Sequence, residues 1–241
     1  MPIRAVYLDV DGVINDHALN PGMWDAHLGE VLAPALGGAA PDWGRANRAV
    51  FPKIWAGQHT WGIDPMTRIR TESTLIVSGM CEALGIVPPS PERCFELWQQ
   101  VDRYVAGTGK AAFPGTARAI EALAQTFAVH TATGNPSWRV EALLDVLGVR
   151  HLAGFLAGPD LVGIAKSEVA YYDRVFAATE VNPSEALIVD DSADCIERAI
   201  TAGAGTAHID DTARCGCPAT MHAPTLEALV PMLTANTSAM G

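Results

Sequence analysis

Short apolar runs alternate with amphipathic segments along most of the chain. Runs of strand length, rich in branched and small apolar residues, occupy residues 3–8, 127–133, 151–156, 186–189 and 206–209. Between them apolar residues recur at helical spacing, as in residues 140–147, which end at Gly148 where a helix stop belongs. Strands that alternate with helices are typical of βαβ units. The pattern therefore predicts an α/β fold with a doubly wound parallel sheet.

Residues 16–111 follow a different pattern and show no buried strand. Helical stretches such as residues 94–105 are separated there by Pro and Gly clusters, and five of the six tryptophans fall in this region, namely Trp24, Trp43, Trp55, Trp61 and Trp98. We expect a mostly helical cap, with the tryptophans packed inside it or against the core. The expected core comprises residues 1–15 and 112–235, with hinges near residues 15–21 and 107–114 and a loose tail at 236–241.

The composition narrows the classes of partner. The 241 residues are 49% hydrophobic and 18% charged, which suffices for a substantial core. The net charge of -11 repels nucleic-acid backbones and anionic lipids, so neither is an expected partner. No stretch approaches 18 uninterrupted apolar residues and no signal peptide is evident, which favours a cytoplasmic protein.

The five cysteines form no paired metal-binding motif. They stand at scattered positions, Cys81, Cys94, Cys195, Cys215 and Cys217. Reduced thiols in a cytoplasmic protein are the simplest interpretation. The Cys215-Gly-Cys217 pair is predicted to be structural or incidental rather than a zinc site.

Acidic residues follow two of the predicted strands. Asp9 and Asp11 end the first run, and Asp190 and Asp191 end a later one. Ligands of open parallel sheets bind beyond the carboxyl ends of the strands, so these carboxylates are expected in one crevice. They would repel one another without a cation, and Mg²⁺ prefers such hard oxygen ligands. The expected metal ligands are Asp9, Asp11 and Asp191, with Asp190 beside them.

The same residues suit phosphoryl transfer. Asp9 is the expected nucleophile and would form an aspartyl-phosphate. Asp11, placed by strand alternation on the same side, is the expected general acid and base. Thr133 and Gly134, at the end of another strand, would hold phosphoryl oxygens, and Lys166 would neutralise charge on Asp9 and the phosphoryl group.

Taken in order, these motifs resemble the haloacid dehalogenase-like (HAD) hydrolase superfamily. Asp9-Val-Asp-Gly-Val matches its DxDG signature, and Thr133, Lys166 and Asp190-Asp191-Ser192 match the later motifs. The resemblance implies a Rossmann-like core with the helical cap of the phosphoglycolate-phosphatase-like branch. It also implies a Mg²⁺-dependent phosphoric monoester hydrolase acting on a small phosphorylated metabolite.

Two positions depart from the pattern of that superfamily. Ser167 follows Lys166 where many relatives carry proline. Cys195 stands where many relatives have a further acid, so the neighbouring Asp194 is a candidate to assist Asp191 at the metal.

Other functions of the same fold stay open from the sequence. A sugar phosphomutase would form the same aspartyl-phosphate. A 2-haloacid dehalogenase needs the first aspartate but no metal, and it lacks an acid at the position of Asp11. A phosphonoacetaldehyde hydrolase also lacks that acid and needs a cap lysine, for which only Lys53 and Lys110 are available. A catalytically idle binding module is the remaining alternative. The substrate, the cap residues that select it and the oligomeric state are not specified by these motifs.

Overall fold

A six-stranded parallel sheet forms the centre of the molecule. The computed structural model describes residues 2–57, 64–210 and 217–238. The strands are β1 (Ala5–Leu8), β2 (Ala128–Ala132), β3 (Ala153–Ala157), β4 (Ala186–Asp190), β5 (Gly205–Ile209) and β6 (Met221–Ala223). Their order is β3-β2-β1-β4-β5-β6, and every neighbouring pair is parallel. The predicted α/β fold is confirmed, whereas the short strand β6 was not predicted.

Four helices lie between β1 and the rest of the core. They are α1 (Asn20–Leu36), α2 (Ala40–Trp55), α3 (Pro65–Ala83) and α4 (Pro91–Ala106). Helices α3 and α4 each begin with a proline, which suits the first helical position. The residues before them, Asp64 and Ser90, cap the helices by accepting a hydrogen bond from a backbone N–H of the first turn. The helices share an apolar core of their own, which includes the buried Trp43 and Trp98. Trp61 lies outside the described residues.

The remaining helices cover the two faces of the sheet. They are α5 (Thr116–Ala124), α6 (Ser137–Val146), α7 (Pro159–Val162), α8 (Tyr171–Thr179), α9 (Ala193–Thr201) and α10 (Leu226–Ser238). Alternation along β1 sends Val6 and Leu8 into one apolar cluster and Tyr7 into the other. The sheet is therefore buried on both sides. None of the helices in the described part of the chain is long and apolar enough to cross a membrane.

The two chain segments that connect the four-helix insertion to the core lie side by side. Asn15 and Ala112 form an antiparallel bridge. The amide of Asp16 donates to the carbonyl of Ala111 at 2.8 Å, and the amide of Phe113 donates to that of Ile14 at 2.9 Å. These contacts fall where the sequence predicts the hinges. The exact domain boundaries stay a prediction, and α10 continues to Ser238, into the predicted tail.

Candidate active site

Three carboxylates and a buried lysine meet at the carboxyl ends of β1 and β4. Asp9 follows β1, Asp190 ends β4 and Asp191 comes next, and carboxylate oxygens of the three lie within 4.8 Å of one another. The Nζ atom of Lys166 is 2.9 Å from Oδ1 of Asp9 and 2.7 Å from Oδ2 of Asp190. Four of the predicted site residues thus form one cluster.

Burial sets the electrostatics of this cluster. Desolvation raises the pKa of Asp9 to about 6; the Lys166 charge opposes this rise, and the Asp190 charge adds to it. Burial alone would lower the pKa of Lys166, but the two carboxylates raise it well above its usual range, so the ammonium group stays charged. Desolvation and the Asp9 charge also raise the pKa of Asp191. One ammonium group therefore faces three acidic groups whose ionisation is mutually unfavourable.

The donor atoms of the cluster fit a magnesium ion. Oδ1 of Asp9 accepts from the Val10 amide and contacts Lys166. Gly12 lies so close to Asp191 that a Cβ atom there would stand 2.0 Å from its Oδ2, which only glycine avoids. An excess of carboxylates over cations, all with hard oxygen donors, is the environment that Mg²⁺ prefers. Asp9 and Asp191 would hold the ion, with Asp190 beside them.

The carboxylate of Asp11 lies outside this cluster and accepts hydrogen bonds from two asparagines. Among the described residues, the carboxylate cluster includes Asp9, Asp190 and Asp191 but not Asp11. Its Oδ1 accepts from the side-chain amide of Asn20, and its Oδ2 accepts from that of Asn135, each at 2.9 Å. Strand β1 ends at Leu8, so the alternation that would align Asp9 with Asp11 does not extend that far. This side-chain geometry gives no support to Asp11 as a metal ligand.

Thr133 and Gly134 occupy the loop between β2 and α6. The buried Thr133 hydroxyl accepts from the backbone and side-chain amides of Asn135, at 3.2 and 3.3 Å. A Cβ atom on Gly134 would meet no heavy atom within 4 Å, so the loop borders open space there. Tyr171 donates its phenol hydrogen to the carbonyls of Thr133 and Ala157, which fixes the end of β2. This loop, to which the sequence analysis assigned phosphate binding, is therefore held by hydrogen bonds and open at Gly134, and Asn135 connects it to Asp11.

A polar network that the sequence did not reveal joins this loop to the helical insertion. Arg139 of α6 donates to Oδ1 of Asn135 at 2.8 Å and to the carboxylate of Asp102 on α4. Trp138 donates its indole N–H to the other oxygen of Asp102 at 2.9 Å. In the sequence, Asp102 is one charge within a helical segment, where charges ordinarily face solvent. No sequence pattern therefore identified it as buried. Asp194 is not part of the carboxylate cluster among the residues described.

A cavity of about 510 Å³ opens in the helical insertion, and Arg139 of α6 also lines it. Its apolar walls are aromatic, and its polar walls carry both signs of charge; its lining includes Trp24, Phe51, Trp55, Trp98, Asp25, Arg48, Glu72 and Arg139. His17 also lines it, and Nδ1 of His17 lies 3.7 Å from Oδ2 of Asp191. His17 therefore lies between the cavity and the carboxylate cluster, and no carboxylate of the cluster lines the cavity.

Comparisons with known proteins agree with this architecture. A family model described as a haloacid dehalogenase-like hydrolase matches residues 3–203. No curated protein matches the chain.

Solved structures that resemble the chain include three hydrolases. YfnB from Bacillus subtilis, a proposed HAD hydrolase with bound magnesium, has a TM-score of 0.66 at 17% identity, over 97% of this chain and 99% of that one. The 2-haloacid dehalogenase of Pseudomonas syringae pv. Tomato DC3000 has a TM-score of 0.64 at 20% identity, over 98% and 99%. The L-2-haloacid dehalogenase of Xanthobacter autotrophicus with covalently bound chloropropionic acid has a TM-score of 0.59 at 14% identity, over 96% and 98%. At these identities the likeness concerns the fold.

Proposed function

The chain belongs to the haloacid dehalogenase-like hydrolase family, and from that premise we propose that it hydrolyses a small-molecule phosphate monoester with Mg²⁺ as cofactor. The observation that carries the proposal is the cluster of Asp9, Asp190 and Asp191 around Lys166, with Asp11 held apart from it. A dehalogenase needs no cation and no second acid. The carboxylate cluster, which suits a cation, and the separate acid Asp11 therefore both favour phosphate chemistry.

Asp9 is the nucleophile of this proposal. Its Oδ1 accepts from the Val10 amide and contacts Lys166, so we assign the attack on phosphorus to Oδ2. The bond from phosphorus to the ester oxygen breaks, and Asp11 supplies the proton that the departing alkoxide takes up. Water then attacks the phosphorus of the aspartyl-phosphate and gives its proton to Asp11. Inorganic phosphate leaves and the Asp9 carboxylate is restored.

Other residues position the phosphoryl group and balance its charge. Lys166 is charged and buried beside Asp9, where it offsets the negative charge that accumulates as the phosphoryl group transfers. Thr133 and the Gly134 amide bind phosphoryl oxygens in the loop before α6. Bound Mg²⁺ supplies charge screening between Asp9 and the anionic phosphoryl group and orients one of its oxygens.

Two side-chain amides hold the carboxylate of Asp11, the acid and base of this proposal, in position. Asn20 comes from the insertion and Asn135 from the core, and each donates to a different oxygen of the carboxylate. Both parts of the molecule must be in place for this arrangement to form. Proton transfer is thereby coupled to the position of the insertion over the site.

The substrate of the proposal is a phosphorylated metabolite that fits the aromatic cavity. A volume of about 510 Å³ suits a small molecule rather than a folded protein. The net charge of -11 disfavours nucleic acid and membrane as partners. We place this activity in the cytoplasm, in keeping with the scattered cysteines of the sequence.

A phosphate-release screen over phosphorylated metabolites tests the proposal. We expect release with Mg²⁺, loss of release with EDTA, and no release by Asp9→Asn. The matched control is Asp173→Asn, an exposed acid on α8 that should retain activity.

Each alternative has its own outcome in this screen. Chloride release from 2-chloropropionate that persists in EDTA would replace the proposal with dehalogenation. An isomeric sugar phosphate in place of free phosphate would indicate a mutase. Activity that survives in Asp9→Asn would remove Asp9 as nucleophile, and inactivity on every substrate would favour the idle binding module.

A further inference from the structure

Two histidines and a cysteine converge at the far edge of the sheet, away from the loop that holds Thr133. His208 of β5 and His222 of β6 are direct partners in the parallel ladder, so both side chains lie on the same face. Their ring centroids are 5.7 Å apart. Cys217 lies in the segment that leads into β6, and the three potential ligand atoms lie within 4.8 Å of one another.

A hydrogen bond to the backbone sets the tautomer of His208 that can bind a metal. The side chain is 3% exposed, and its Nε2 lies 2.9 Å from the backbone carbonyl oxygen of Asp191. A carbonyl only accepts, so Nε2 carries the proton and Nδ1 keeps its lone pair. Nδ1 is buried and has no hydrogen-bond partner among the described residues. A histidine that donates one nitrogen to a carbonyl and presents the other is the usual form of a metal ligand.

The connection between the two strands holds these groups in place. Thr220 donates its hydroxyl hydrogen to the carbonyl of Thr206 at 2.6 Å, and the amide of Thr206 donates to the Thr220 hydroxyl at 3.0 Å. These bonds precede His208 and His222 by the same two residues on each strand. The hydrogen bonds between Thr206 and Thr220 therefore fix the register in which His208 and His222 face each other.

We propose that His208, Cys217 and His222 form a zinc site. Two imidazole nitrogens and a thiolate are the donors of borderline-soft Zn²⁺, whereas Mg²⁺ requires oxygen. Bonds of about 2.0–2.3 Å at tetrahedral angles place ligand atoms roughly 3.3–3.8 Å apart. In the zinc-bound form the exposed His222 and the half-buried Cys217 would adjust to that spacing around the buried His208.

Three protein ligands leave the fourth position of tetrahedral zinc to water. The site has a structural role in this proposal, which does not depend on the phosphatase assignment. Bound zinc ties the segment before β6 to β5. Through the His208 hydrogen bond it also holds the backbone of Asp191, the residue after β4. The sequence interpretation of Cys215 and Cys217 as structural or incidental did not include the two histidines, because they lie on different strands. Cys215 lies outside the described residues, and the site is defined without it.

Competition with a chromophoric zinc chelator tests this site. The titration is run in excess Mg²⁺, which competes with zinc for the carboxylate cluster. We expect one equivalent of Zn²⁺ to bind to the full chain, and Cys217→Ser and His222→Ala each to weaken binding by at least about tenfold. His151→Ala, an exposed histidine away from the site, and Asp9→Asn serve as controls with unchanged affinity.

Cobalt provides a second measurement of the same ligands. Co²⁺ added to the chain should give a thiolate-to-metal charge-transfer band that disappears in Cys217→Ser. Circular dichroism checks that each variant is folded. If His222→Ala is not folded, His222→Gln takes its place. Equal zinc affinity in all variants, no zinc binding by the parent chain, or loss of zinc only in Asp9→Asn would each overturn the proposal.

Discussion

The buried carboxylate of Asp102 and the partly buried guanidinium of Arg139 form an ion pair between helix α4 of the insertion and helix α6 of the core. Asp102 is 1% exposed and also accepts from Trp138. Arg139 in turn donates to Asn135, which holds Asp11. The position of the insertion is therefore transmitted to the proposed acid and base through two side chains.

Removing the buried charge of Asp102 should destabilise the fold. Asp102→Asn leaves Arg139 without its anionic partner, and such a loss costs about 3–5 kcal/mol. Chemical denaturation measures the free energy of unfolding. The control is Glu96→Gln, which removes an exposed ion pair with Arg93 and should cost less than about 1 kcal/mol. A similar cost for both variants would contradict the role of burial.

Asp11→Asn separates acid–base catalysis from metal binding. The substitution removes a proton donor and acceptor, so kcat should fall by about 10²–10⁴-fold. Mg²⁺ affinity, measured by calorimetry, should stay unchanged because Asp11 lies outside the carboxylate cluster. Asp16→Asn, at the start of the insertion, is the control for a nearby acid. A parallel loss of Mg²⁺ affinity would show that Asp11 is a metal ligand after all.

Gly12→Ala should displace Asp191. The new methyl group would stand 2.0 Å from Oδ2 of Asp191, and the backbone φ of +85° adds strain. We expect Mg²⁺ affinity to fall by at least about tenfold. Gly148→Ala shares a positive φ but meets no atom within 4 Å, so it carries only the backbone strain of about 1–2 kcal/mol. Loss of Mg²⁺ affinity in both variants would indicate a general loss of stability instead.

Glu72 makes the stability of the insertion depend on pH. Burial raises its pKa from the ordinary 4.5 to about 7; Arg139 and Arg68 oppose the rise, and Asp102 adds to it. The folded state thus favours the protonated form. This contribution to stability is fully present below about pH 4.5 and is lost as the pH rises through about 7.

Denaturation of Glu72→Gln across that pH range tests this assignment. Glutamine cannot ionise, so the parent chain should lose stability relative to the variant between pH 4.5 and 7. Glu82→Gln, an exposed acid on the same helix, is the control and should follow the parent chain. Parallel curves for the parent chain and Glu72→Gln would refute the raised pKa.

The strands and the site motifs were predictable because each has a local signal. β1 and β4 are continuous apolar runs that end in acidic residues, so the sequence located both the sheet and the carboxylates of Asp9, Asp190 and Asp191. β6 was missed because three residues, Met-His-Ala, are too few to show a period. Its existence depends on pairing with β5, which is a tertiary contact.

The groups that orient the site had no local signal. Asn20 and Asn135 are 115 positions apart in sequence, and only the fold brings both amides to Asp11. Asp102 lies among helical residues where a charge ordinarily faces water. The direction of Asp11 was likewise undetermined, because strand alternation applies only while the backbone is extended and β1 ends at Leu8.

The bridge between Asn15 and Ala112 makes the insertion exchangeable. Its two ends leave the core as adjacent antiparallel arms, so a short turn that joins them would close the core with little loop entropy. Evolution can therefore lengthen, replace or delete everything between these arms without disturbing the order of the strands. A miniature enzyme built this way would keep Asp9, Lys166 and Asp190 but lose the Asn20 contact to Asp11.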